Sequence, residues 1–162
     1  MTVTAEPLTR DAFALYGDVL AADSAQPKTI NQGKCQRHHD LAKLDFTEGR
    51  AGVSIFQAEP RALPYTLDMM ERHPDGAQTF IPMSEHPFLI IVADDVGGTP
   101  ANIRAFITDG TQAINFHRNT WHGVLTPLHA PGLFAVVDRI GTGPNLEEHW
   151  LETPLKIEGS SL

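Results

Sequence analysis

From about residue 50 the chain loses any long helical period. Proline and glycine instead punctuate short runs rich in Val, Ile and Phe. "GVSIFQA", "YTLDMMERH", "QTFIPM", "PFLIIVA", "NIRAFIT", "AINFH" and "LFAVVDR" each read as a strand of roughly four to nine residues. Many short strands at regular spacing predict a barrel or a sandwich, and the lack of crossover helices argues against a parallel α/β sheet. Ahead of them, "PLTRDAFALYGDV" reads as one short helix. Thr9 caps it, Phe13 and Tyr16 fall near one face, and Gly17 ends it. "NLEEHWLE" is expected to form a helical turn and "EGSSL" a loose tail. The 162 residues fit a single domain spanning 1–162, with no internal repeat or linker. A chain of this length buries roughly 68–70% of its unfolded surface and needs no covalent staple.

Charge narrows the function classes. The net charge of −8 is the wrong sign for a uniformly basic nucleic-acid footprint or for attraction to anionic lipid. An anionic small molecule would need a local basic pocket. One cysteine, Cys35, excludes an intramolecular disulfide and a Cys-rich zinc site, and fits a reducing compartment. The start, "MTVTAEPLTRDAF", has acids where a signal peptide would be apolar. The longest apolar run, "PFLIIVA", is far too short to span a bilayer. The expectation is a soluble cytoplasmic protein without nucleic-acid or membrane partners.

Two segments carry chemistry. On a regular strand, alternation puts Tyr65, Leu67, Met69, Glu71 and His73 of "YTLDMMERH" on one face, with Thr66, Asp68, Met70 and Arg72 on the other. A core-directed face thus ends in a carboxylate and an imidazole two residues apart, the spacing that lets both converge on one metal or substrate. The alternative is a strand running out into solvent with both groups wet. In "NFHRNTWHG", Asn115 and His117 share a face, Phe116 points opposite, "RNT" turns the chain, and Trp121 and His122 restart it. Histidine suits proton transfer near neutral pH and, when neutral, metal binding. A neighbouring Trp121 would dry such a pocket. The alternative is a polar hairpin with Trp121 as a core anchor. Cys35 has no evident activating partner, His86 before Pro87 reads as a turn, His129 and His149 read as surface, and Met69 and Met70 read as packing.

Together the two segments resemble a cupin. "ERHPDGAQ" puts Glu71 and His73 at the paired ligand positions of that family's first motif and Gln78 at its Glu position; "HRNTWH" puts His122 at the final His of the second. Glu71 and Gln78 depart from the family's His and Glu, and His117 and Asn119 stand where the second motif has Pro and Gly. The resemblance implies a mainly β fold, a cupin-like double-stranded β-helix (a jelly-roll type barrel) with one or two short helices. It leaves open a metal-free site or a divalent ion, such as nickel or zinc, on Glu71, His73 and His122.

"LYGDVL", "INQGKCQRHHDLA", "ERHPDGAQTFIPM", "RAFITDGTQAINFHRNTWHGVL" and "VVDR", in that order, further resemble the ureidoglycolate lyase family from about Leu8 to Arg139. That resemblance implies a homodimeric enzyme that splits ureidoglycolate into glyoxylate and urea during allantoin (purine) nitrogen recovery. The reaction needs a general base and a general acid but no redox cofactor. His73 and His122 are the acid–base candidates, with Glu71 to orient or relay. For the substrate, Gln78, His117, Arg118, Arg139, Arg37 and His39 are the binding candidates, since a guanidinium forks onto a carboxylate. In "LFAVVDR" one of Asp138 and Arg139 is expected to enter the barrel, unless the two pair with each other. "QRHHDLA" reads as a solvated loop or as a segment reaching over a partner's pocket. A metal-dependent cupin enzyme and a non-catalytic carboxylate-binding cupin are the alternatives.

Overall fold

The computed structural model describes residues 1–160, so the last two residues of the expected tail lie outside the described residues. Fifteen strands follow in chain order: β1 (Thr2–Thr4), β2 (Glu6–Pro7), β3 (Gly17–Leu20), β4 (Lys28–Ile30), β5 (Cys35–Arg37), β6 (Arg50–Gln57), β7 (Tyr65–Arg72), β8 (Gln78–Pro82), β9 (Phe88–Val96), β10 (Thr99–Ile107), β11 (Ala113–Phe116), β12 (Trp121–His122), β13 (Thr126–Pro127), β14 (Leu133–Ile140) and β15 (Glu147–Glu158). An eight-stranded sheet runs β1-β15-β7-β12-β9-β10-β2, with β13 on β9, and a five-stranded sheet runs β3-β11-β8-β14-β6. They face each other as a nearly closed, cupin-like barrel. All seven runs expected as strands from residue 50 onward are strands.

β9 shows why the barrel closes. Phe88, Ile90 and Val92 point into the barrel, where they meet Phe80, Ile114, Phe116, Phe134 and Val136 of the smaller sheet. Leu89, Ile91 and Ala93 point the other way, into a second buried cluster with Leu67, Met70, Trp121 and Ile157. A strand apolar on both faces can only sit in the middle of a covered sheet.

Four local expectations are corrected. The helix, α1, spans only Arg10–Phe13; Thr9 does cap it, accepting from the Ala12 amide at 3.2 Å. Gly17 does not end a helix but opens β3, where a Cβ would lie 2.0 Å from the Asn115 carbonyl oxygen. "NLEEHWLE" is not helical, because residues 147–158 form the long strand β15 against β7. Finally, Glu71 and His73 do not continue the face of Tyr65 and Leu67. The β7–β15 register shifts between Trp150 and Leu155, and Met70 rather than Met69 joins the buried cluster of Tyr65 and Leu67. The alternation along β7 slips between Leu67 and Met70, where its register with β15 shifts, and its last residues fall on the opposite face.

Candidate active site

That slip delivers Glu71 and His73 to the inside of the barrel. His122 arrives from β12, which pairs between β7 and β9 with His122 opposite Glu71. One ligand atom from each of Glu71, His73 and His122 lies within 4.8 Å of the others. The two imidazole centroids are 5.2 Å apart, and Phe116 stacks flat on His122 at 4.3 Å. So Phe116 dries the pocket rather than Trp121. Trp121 anchors the outer cluster instead, under the Arg72 guanidinium at 4.3 Å, and donates its indole N–H to Asp95.

Hydrogen bonding fixes the histidine tautomers. His73 Nδ1 lies 2.8 Å from the Asn145 carbonyl and His122 Nδ1 lies 2.9 Å from the Gly123 carbonyl. A carbonyl only accepts, so each Nδ1 carries the proton and each Nε2 keeps its lone pair. Both Nε2 atoms are buried without a hydrogen-bond partner among the described residues; the Glu71 carboxylate at 3.9 Å from His73 is too far for one. Gln78 adds a third such atom. Its amide Nε2 donates to Asp138 at 3.2 Å, which leaves its Oε1 buried and unpartnered. Native proteins rarely leave buried acceptors orphaned, and three of them point to a site built to receive something.

Electrostatics fit that reading. Burial, helped by the neighbouring His73, holds the His122 pKa down to about 3, against a small opposing effect of the Gly123 carbonyl. His122 therefore stays neutral with its Nε2 open. Burial raises the Glu71 carboxyl above its ordinary range; His73 opposes this and Glu148, opposite it on β15, adds to it. Two nitrogen lone pairs and a carboxylate in one buried place are a donor set that fits a divalent ion such as zinc or nickel.

The other candidates lie elsewhere. His117 points to the outer side of the small sheet, where its Nε2 meets Asp18 at 3.0 Å, and Asn115 donates to the same carboxylate. Arg118 pairs with Asp45 at 3.3 Å. Of the "DR" pair, Asp138 enters the barrel. Arg139 faces out and donates to the Thr47, Glu48 and Thr142 carbonyls. Arg37 and His39 are exposed on or beside β5, outside this chain's own pocket. Sequence reasoning assigned no role to Phe116 or Asn145. Phe116 had a signal, its inward parity opposite Asn115. Asn145 had none, because only its backbone carbonyl reaches His73.

A sequence model of the ureidoglycolate lyase family matches residues 1–158. Ureidoglycolate lyase of Rhodobacter capsulatus is 54% identical over 155 residues, covering 95% of this chain and 96% of that protein. Ureidoglycolate lyase 2 of Rhizobium meliloti is 48% identical, covering 94% of each. Ureidoglycolate lyase of Chelativorans sp. is 50% identical, covering 96% and 95%.

Proposed function

The chain belongs to the ureidoglycolate lyase family, and from that premise we propose that it cleaves ureidoglycolate to glyoxylate and urea, in allantoin nitrogen recovery, by acid–base chemistry at Glu71, His73 and His122. The observation that carries this reading is the meeting of two imidazole lone pairs and a carboxylate inside the barrel.

The substrate is a carbinol-urea with a carboxylate. Its hydroxyl gives up a proton, the C–N bond breaks as the aldehyde C=O forms, and the departing urea nitrogen takes a proton. The bond-breaking pair leaves on nitrogen, so no water or electron is consumed. A base and an acid suffice. Glu71, its carboxyl raised and beside His73, suits the proton relay. His122, held neutral, accepts a hydrogen bond or a metal and does not donate from Nε2. Gln78, its amide fixed by Asp138, offers an oxygen acceptor to the substrate's hydroxyl or urea N–H. A divalent ion such as nickel or zinc, held by Glu71, His73 and His122, would supply a positive charge that acidifies a hydroxyl.

A second copy of the chain belongs to the same reading. The outer side of the small sheet carries Ile81, Ala135 and Ile55 in one row across three strands, with Val53 beside Val137 in the next. Val53 is 74% exposed and Ile55 59% exposed. A contiguous apolar face of this kind marks an interface, and a homodimer covers it. Among the described residues no helix is long and apolar enough to cross a membrane; with a lone unpaired Cys35, a cytoplasmic location is the consistent reading.

The test is a product assay. Purified protein is given ureidoglycolate, and glyoxylate, urea and ammonia are followed with and without exhaustive chelation. Equal glyoxylate and urea are expected. Ammonia in place of urea would mean hydrolysis, and no product would leave only binding. Full activity after chelation would remove the metal.

A further inference from the structure

Residues 21–49 stand outside the barrel. They leave β3 at Leu20, form the β4–β5 hairpin and return over the outer side of the small sheet. There Lys43 accepts from Asn115 and donates to Asp18, and Phe46 bridges Gly76 beside the site. Two contacts pin the hairpin's root. Arg10 forks onto Asp23 at 2.6 and 2.7 Å, and the Ser24 amide donates to His38 Nδ1 at 3.1 Å. Beyond that root the hairpin is alone. Among the described residues β4 and β5 pair only with each other, and Asn31, Gln32, Gly33, Lys34, Gln36 and Arg37 are exposed. A two-stranded hairpin is at best marginally stable by itself in water, so this one calls for a surface to lie on.

Charge says which surface. Between residues 28 and 37 the hairpin carries Lys28, Lys34 and Arg37 and no acid, in a chain of net charge −8. The site and its rim carry acids: Glu71 and Asp138 face inward, and Glu148 lies opposite Glu71 on β15. A substrate carboxylate beside these acids calls for a cation at the end remote from the Glu71–His73–His122 cluster. Yet seven of the eight arginines are committed among the described residues. Arg10, Arg72, Arg104 and Arg118 hold carboxylates, Arg50 and Arg139 hold carbonyls, and Arg61 holds Tyr65. Arg37 alone has no such partner.

Resting on the lyase reading above, we propose that in the dimer the β4–β5 hairpin of each copy closes over the Glu71–His73–His122 pocket of the other and presents Arg37 to the substrate's carboxylate. The chain returning from the hairpin runs over the outer side of the small sheet, the side that also carries the exposed Val53 and Ile55. Arg37 then fixes the end of the substrate remote from the scissile bond.

The test is subunit complementation. Arg37→Ala is expected to raise KM roughly ten- to a hundredfold, the worth of a charge-assisted hydrogen bond, with Arg37→Lys recovering part of it. Arg37→Ala and His122→Ala chains are co-expressed with different tags, and the mixed dimer is isolated through both. One of its two sites then combines an intact His122 with an intact Arg37 from the other chain, so about half of wild-type activity returns. If Arg37 serves its own chain, both sites are defective and the mixed dimer stays as low as its parents, which overturns the proposal. Should His122→Ala fail the folding check by circular dichroism, Glu71→Gln takes its place. If wild-type protein releases no glyoxylate, the lyase reading fails by itself, and hydrogen exchange then decides the arm. Slowed exchange of residues 28–37 in the dimer relative to an Ile55→Asp monomer supports it. Equally fast exchange in both, or a wild-type protein that is monomeric by light scattering, overturns it.

Discussion

The imidazoles of His73 and His122 lie 5.2 Å apart with both Nε2 lone pairs buried and unclaimed. Two unclaimed ring nitrogens so placed call for a hydrogen-bond donor or a cation between them. Everything chemical about this barrel follows from that pairing, which unites strands some fifty residues apart in sequence.

Removing either ring should stop the chemistry and spare the fold. His73→Ala is expected to lower kcat by roughly 10²–10⁴, the usual worth of a positioned acid or base, and His122→Ala to lower it as well through loss of the neutral acceptor beside it. Steady-state kinetics beside circular dichroism checks this. Near-wild-type rates in both variants would reduce the rings to packing.

Acid should destabilise the protein through His122. Its pKa is about 3 in the folded state against an ordinary value of 6.5. The unfolded chain takes up a proton that the folded chain refuses, so stability falls as pH drops below 6.5 and keeps falling toward about 3. At pH 5 the loss from this group is ~2 kcal/mol. Urea unfolding at pH 7 and pH 5, with chelator present, should show a larger loss for wild type than for His122→Leu. Equal losses would mean an ordinary, accessible imidazole.

Asp138 is a positioning residue. It accepts from the Gln78 amide at 3.2 Å and so turns Oε1 toward the pocket. Asp138→Ala frees the amide to rotate and should raise KM roughly tenfold or more. Asp138→Asn still offers an acceptor oxygen and should recover most of the loss. A purely structural role would lower Tm in both variants alike and leave KM unchanged.

Gly17 tests the seating of β3 on β11. A methyl group there would sit 2.0 Å from the Asn115 carbonyl oxygen and 2.8 Å from the Phe13 ring. Backbone cannot yield as a side-chain tip does. Gly17→Ala should cost roughly 1–3 kcal/mol, read as a lower denaturation midpoint. An unchanged midpoint would mean that β3 does not pack this closely.

Much was legible before any coordinates. The runs of β-branched and aromatic residues between Gly and Pro marked seven of the nine strands from β6 to β14. The "ERH" and "NTWH" segments pointed to Glu71, His73 and His122. β15 was missed because "NLEEHWLE" is charged on its exposed side, and its extended form comes from pairing with β7 more than seventy residues earlier. Local propensity is blind to such a partner. The placement of Arg139 and His117 was not legible for a related reason: a partner distant in sequence, the Thr47 and Glu48 carbonyls or Asp18, holds each side chain.

What the sequence determined by itself is the alternation of short apolar strands, and with it a barrel whose inward positions include Phe116 and Phe134, because burying apolar surface drives the fold and depends only on pattern. What the tertiary structure alone decided is the face of Glu71 and His73. Strand alternation placed them with Leu67, whereas the alternation along β7 slips where its register with β15 shifts, and they meet His122 inside the barrel. A period-two pattern carries no information about where it slips; that is set by the geometry of the neighbouring strand.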